Sequence, residues 1–144
     1  MEAIQTFLDN VKDLMTERDL TFEQLAQEVK IDPRTLRRWY GHSVPKLHSL
    51  TKISRYFGCS LEYLFGFTPE FDAPPQTNAT FYARYKKLKR EHFIKDAFIA
   101  LVSGIAPSTI SEWNDNYQPD AWTLLRLREA FGCKLDFLAG IGEY

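Results

Sequence analysis

The side chains that could do metal or redox chemistry are few: Cys59, Cys133, His42, His48 and His92. The two cysteines sit in matching phrases, FGCSLEYLFG at 57–66 and FGCKLDFLAG at 131–140, so a disulfide or half of a metal site is the first chemistry to weigh. Two thiols cannot supply a four-ligand zinc site, and no histidine has a partner at C-x-x-C or H-x₃-H spacing. No Gly-rich phosphate loop and no activated Ser–His or Cys–His pairing is present. These patterns predict no metal, no cofactor and no enzyme, with both thiols buried as small hydrophobes.

The repeated phrase extends far beyond its cysteines. Sliding the chain by 74 residues pairs Phe7 with Phe81, Pro33 with Pro107, Trp39 with Trp113 and Leu61 with Leu135. The register holds without a gap from 6–66 onto 80–140. The chain is therefore two copies of one module: residues 1–66, residues 80–144, and between them FTPEFDAPPQTNA (67–79), which reads as a Pro-containing linker.

The elements of each copy follow from periodicity and capping. Ile4, Phe7, Leu8, Val11, Leu14 and Met15 lie on one stripe of a first helix. Thr21 is placed to cap a second, carrying Leu25, Ala26 and Val29 on one face. Asp32 followed by Pro33 opens a third, PRTLRRWY. KLHSLTKISRYFG predicts a fourth helix ending at Gly58, and Ser60 caps a short fifth. Five short helices per copy and no strand signal predict an all-α fold. With 44% hydrophobic and 26% charged residues, the composition is that of a globular chain. No apolar run reaches the roughly 18–20 residues of a membrane span. The N-terminus MEAIQTFLDN lacks signal-peptide character, so a cytoplasmic setting with reduced thiols is expected.

The helices at 21–30 and 32–40, joined by a very tight turn, have helix-turn-helix spacing. Leu25-Ala26, Thr35 to Trp39, Gly41, Pro45, Leu50, Ile53, Phe57-Gly58 and Leu61-x-x-Leu64 fill the pattern of the Cro and lambda-repressor-like (XRE-type) DNA-binding domain. PSTISEW at 107–113 matches its third helix again. Both copies resemble this family, over about 85% of the chain. The resemblance implies two tandem five-helix lambda-repressor-like helix-turn-helix modules and a sequence-specific regulator of double-stranded DNA, of bacterial or phage repressor type. It also implies that the third helix enters the major groove.

Transferred by position, the base-reading residues of the first module are Pro33, Arg34, Thr35, Arg37 and Arg38. Each arginine can offer a bidentate fork to guanine O6 and N7. Phosphate contacts fall to Thr21, His42, Ser43 and Lys46. The second module has Ser108, Thr109, Ser111 and Glu112 on the corresponding face and no basic residue from 106 to 117. A second reading face stays open there, because serine and glutamate can also contact base edges. The run RYKKLKREH at 84–92 supplies five Lys/Arg on the first helix of this copy, which read either as phosphate anchors for that face or as a solvated basic face.

Phe98, Leu101 and Val102 stand where the first module has Gln24, Gln27 and Glu28. They make the second helix of module two apolar nearly all round, which predicts a protein interface. Its cover is the linker's Phe67 and Phe71, the first module, or the partner in a homodimer. Thirteen linker residues can extend about 43 Å, enough for two modules to serve two half-sites. Net charge is −1, so a second function class stays open: an antirepressor or antitoxin-like module that keeps the fold and binds protein.

Overall fold

The computed structural model of the chain describes residues 2–41 and 43–143, whose regular elements are all helices, joined by turns and loops with two isolated bridges. They form two compact units, Met1–Ala73 and Pro74–Tyr144. The fold is all-α.

Unit 1 holds α1 (Glu2–Glu17), α2 (Phe22–Val29), α3 (Pro33–Trp39), α4 (Leu47–Phe57) and α5 (Leu61–Leu64). The α1 stripe expected from its spacing is buried throughout. Thr21 and Gln24 form a reciprocal capping box: Thr21 Oγ1 accepts from the Gln24 amide (3.1 Å) and Gln24 Oε1 from the Thr21 amide (2.9 Å). Lys30 then turns left-handed (φ 58°), and Lys52 Nζ donates to its carbonyl (3.1 Å). This single reversal sends the chain from α2 into α3. Gly58 (φ 71°) ends α4 in the left-handed region that glycine enters without Cβ strain. At the centre Phe7 stacks on Phe65 (4.8 Å) beside Trp39 (6.0 Å), among the fully buried Leu25, Leu36, Leu50, Ile53 and Leu61.

Unit 2 repeats the plan with α6 (Phe81–His92), α7 (Asp96–Ser103), α8 (Pro107–Ser111), α9 (Ala121–Phe131) and α10 (Leu135–Leu138). Its α7, α9 and α10 begin and end 74 residues after α2, α4 and α5. Phe81 meets Trp113 edge-on (5.2 Å), the counterpart of Phe7 and Trp39. The match breaks at α8, two residues shorter than α3; Ala106, unlike Asp32, gives its N-cap no side-chain acceptor.

Three expectations change. The segment 67–79 is not an open tether. The Ser60 amide donates to the Phe71 carbonyl (2.8 Å), the Ala73 amide to Gly58 (3.2 Å), and Cys59 bridges Asp72, which lays 71–73 on unit 1. On the other side the Thr77 amide donates to Gly140 (3.1 Å) and the Gly142 amide to Pro75 (2.7 Å). Second, of the two thiols expected to be buried only Cys59 is, because 71–73 covers it; Cys133 is half-buried. Third, the basic run is not all solvated. Arg84 is buried and donates to the carbonyls of Phe137 (2.9 Å) and Gly142 (2.5 Å). In unit 1 Asn10 occupies the aligned slot, and its amide donates to the carbonyls of Leu64 (2.9 Å) and Tyr63 (3.3 Å). Two unrelated side chains do one job: they fasten the first helix of a unit to the carbonyls at the end of its last.

Candidate nucleic-acid interface

Seven residues make α3, and the i, i+3 pair Leu36 and Trp39 faces the core. That leaves Arg34, Arg37 and Arg38 exposed, with Pro33 and Thr35 half-buried between them. The far end of the helix is clamped. Tyr40 donates its hydroxyl to the Leu8 carbonyl (2.9 Å), meets Phe22 edge-on (5.3 Å) and carries Lys12 over its ring (4.9 Å). Burial, reinforced by Asp9, holds the Tyr40 phenol far above its ordinary pKa. The outward face of α3 is therefore set by packing against α1 and α2.

The three arginines differ in their commitments. Arg34 folds back on its own N-cap: its Nη2 lies 3.1 Å from Asp32 Oδ2, while Asp32 Oδ1 accepts from the Arg34 amide (2.8 Å) and Nε (3.4 Å). Arg37 forms an ion pair with Glu23 of α2. Arg38 has no ion-pair partner among the described residues. Of the phosphate candidates, Thr21 is exposed and engaged in its capping box, Ser43 is exposed with its amide donating to the Arg38 carbonyl (3.1 Å), and Lys46 is exposed as N-cap of α4. His42 lies outside the described residues.

Asp32 and Glu23 are the members of this surface that the sequence reading missed. An acid two residues before Arg34 is a readable local signal. Glu23 and Arg37 are 14 residues apart, and only the turn between α2 and α3 makes them neighbours. Together the two acids offset two of the three arginine charges.

The side-chain hydrogen bond from Arg34, and then its amide, hold the Asp32 carboxyl below its ordinary value of 3.8. A depressed carboxyl contributes stability above its unfolded pKa and loses it as pH falls through the folded value, so this pair is intact at neutral pH. Asp32→Asn keeps an N-cap acceptor, and helix stability is expected to change by less than about 0.5 kcal/mol. It removes a negative charge beside the surface and releases Arg34. DNA affinity is then expected to rise about fivefold, the worth of one screened charge contact. A duplex titration alongside thermal melting checks this; weaker binding would show that the Asp32–Arg34 pair acts as one unit.

On unit 2 the corresponding surface carries Ser108, Thr109, Ser111 and Glu112, all exposed. Ser111 Oγ donates to the Ser108 carbonyl (2.8 Å), and Thr80 Oγ1 donates to Asp115 Oδ1 (3.0 Å). No cation stands on α8. On α7, Phe98, Leu101 and Val102 are 48%, 79% and 43% exposed. Phe71 packs edge-on against Tyr63 of unit 1 (4.9 Å), and the Phe67 amide donates to the Glu62 carbonyl.

No helix among the described residues is long and apolar enough to cross a membrane. No curated protein and no solved structure gives a match to the chain. One family model does match, over residues 10–70, which takes in the whole α2–α3 pair, its arginines and the loop to α4. Residues 10–70, most of unit 1, are similar to the Cro/C1-type HTH DNA-binding domain.

Proposed function

We propose that the chain is a sequence-specific regulator of double-stranded DNA, of repressor type, that acts by binding and not by catalysis. In this reading α3 of unit 1 enters the major groove. The observation that carries it is Arg38, exposed on α3 within the matched domain, one turn from Arg34 and with no ion-pair partner among the described residues. Arg38 is the principal base reader, ready to present its fork to a guanine edge without surrendering a protein partner. Arg34 joins it on leaving Asp32. Arg37 holds α3 against α2 through Glu23, and Thr21, Ser43 and Lys46 meet the backbone on either side.

The face of unit 2 lacks cations, so a single chain bound through both units reads an asymmetric site. Selection of bound sequences from random duplexes tests the function directly. One motif is expected, with affinity for it falling steeply between about 50 and 200 mM salt through counterion release. A pool that shows no enrichment sinks the proposal.

A further inference from the structure

Unit 1 and unit 2 share a backbone plan, so a surface that differs between them is not dictated by the fold. The largest such difference surrounds α7. Unit 1 has Asp19, Gln24, Gln27 and Glu28 where unit 2 has Phe93, Phe98, Leu101 and Val102. Every polar or acidic position has become a large apolar one, and all four side chains are exposed, Phe93 by 95%. Phe93 also keeps the left-handed backbone of the slot (φ 54°) that Asp19 fills in unit 1 (φ 53°). Aspartate enters that region more readily than a bulky aromatic does.

The surroundings change charge in step. Unit 2 carries Lys89, Arg90 and Lys95 where unit 1 has Met15, Thr16 and Thr21. With Lys86, Phe93 and Ile94 they line an open concavity of about 750 Å³ between α6 and the start of α7. Lys89 is committed to Asp96 (2.8 Å) and Lys86 lies over the Tyr82 ring (4.8 Å). Among the described residues, Lys86, Arg90 and Lys95 make no ion pair. Phe98 donates its amide to the Lys95 carbonyl (3.0 Å). The basic concavity and the apolar stripe at i, i+3 and i+4 therefore meet in the first turn of α7.

We infer that this surface of unit 2 docks an acidic amphipathic segment of another protein, its apolar side chains on Phe98, Leu101 and Val102 and its carboxylates against Lys86, Arg90 and Lys95. The mode is that of a helix laid on an apolar stripe, with the charged rim setting its orientation. A second copy fits worse. A twofold contact sets the basic rim against itself. The acidic face of α1, with Asp9 and Asp13 exposed beside Gln5 and Thr16, offers charge but no apolar stripe. The inference stands apart from the DNA contact of unit 1 and does not rest on it.

The test uses the full chain and two fluorescein-labelled amphipathic peptides of about 16 residues, with leucines at 3/4 spacing flanked by glutamates in one and by lysines in the other. The glutamate peptide is expected to bind about tenfold more tightly, a difference that shrinks as salt rises. Phe98→Gln with Leu101→Gln places unit 1 residue types at those positions and leaves the fold intact by far-UV circular dichroism. It is expected to weaken binding about tenfold or more. Lys86→Glu with Arg90→Glu is expected to reverse the preference toward the lysine peptide. Equal binding of the two peptides, no binding of either, or unchanged binding by the glutamine variant overturns the inference. Two other results overturn it by naming a different occupant: a dimer that Leu101→Gln dissolves, or a single-stranded oligonucleotide that binds the wild-type chain and is released by Arg90→Glu.

Discussion

Replacing Arg38 with alanine is expected to weaken sequence-selective binding sharply while unit 1 stays folded. Arg38 is exposed and has no ion-pair partner among the described residues. Its removal therefore leaves no buried group unsatisfied, and the stability change should fall within about 0.5 kcal/mol. What is lost is a bidentate contact worth about 1–3 kcal/mol, or roughly 5- to 150-fold in affinity for the selected sequence. Arg34→Ala should cost less, because in the free protein Arg34 is held by Asp32 and must leave it to reach a base. Arg37→Ala should weaken selected and scrambled duplexes alike, since its partner is Glu23 on α2. The double change at Arg34 and Arg38 should bring the selected duplex down to the affinity of a scrambled one. Titrations of both duplexes at one salt concentration distinguish these outcomes. An unchanged ratio after Arg38→Ala would remove this residue from the reading surface.

The second large effect concerns unit 2 and has nothing to do with DNA. Arg84→Ala is expected to destabilise unit 2 by about 2–4 kcal/mol. Arg84 is 6% exposed, and its guanidinium serves Phe137, Gly142 and, more distantly, Thr77 Oγ1 (3.4 Å) while lying over the Phe137 ring (4.9 Å). Alanine leaves the buried Gly142 carbonyl without its donor, at about 1–3 kcal/mol, and takes from the Phe137 carbonyl its bond to a charged group while the Gly140 amide (3.1 Å) stays. The melting temperature of a unit this small falls by about 4–8 °C per kcal/mol. Lysine should recover little, because an ammonium lacks the planar fork that reaches several acceptors at once. Thermal unfolding followed by hydrogen exchange at α10 checks the result, with α5 of unit 1 as the internal control. A melting temperature within a degree of wild type would show that the carbonyls find other donors.

Arg84 also shows where reading a sequence stops. Within RYKKLKREH it looks like one more solvated cation. Its aligned counterpart Asn10 differs in size and charge, so alignment of the two copies hides the shared role. The cysteines teach the same lesson. Cys59 and Cys133 occupy matching phrases, yet only Cys59 is fully covered, by chain that returns twelve residues later. The linker was legible as a break in periodicity. Its hydrogen bonds to both units were not, since backbone amides and carbonyls carry no sequence signature.

Helix positions, caps and the tandem register are carried by the sequence itself. An i, i+3, i+4 stripe, a Thr21–Gln24 box or an Asp32-Pro33 start acts over one turn of chain, and the local residues suffice to specify it. The candidate surface was legible to the same depth: Leu36 and Trp39 point inward, so Arg34, Arg37 and Arg38 point outward. Tertiary structure alone decided which of those arginines is uncommitted. Glu23 reaches Arg37 only because Lys30 reverses the chain between α2 and α3, and the exposure of Phe98, Leu101 and Val102 depends on segments that dock elsewhere. Charge pairing and surface cover are set by distances through space, and those exist only once the helices have packed.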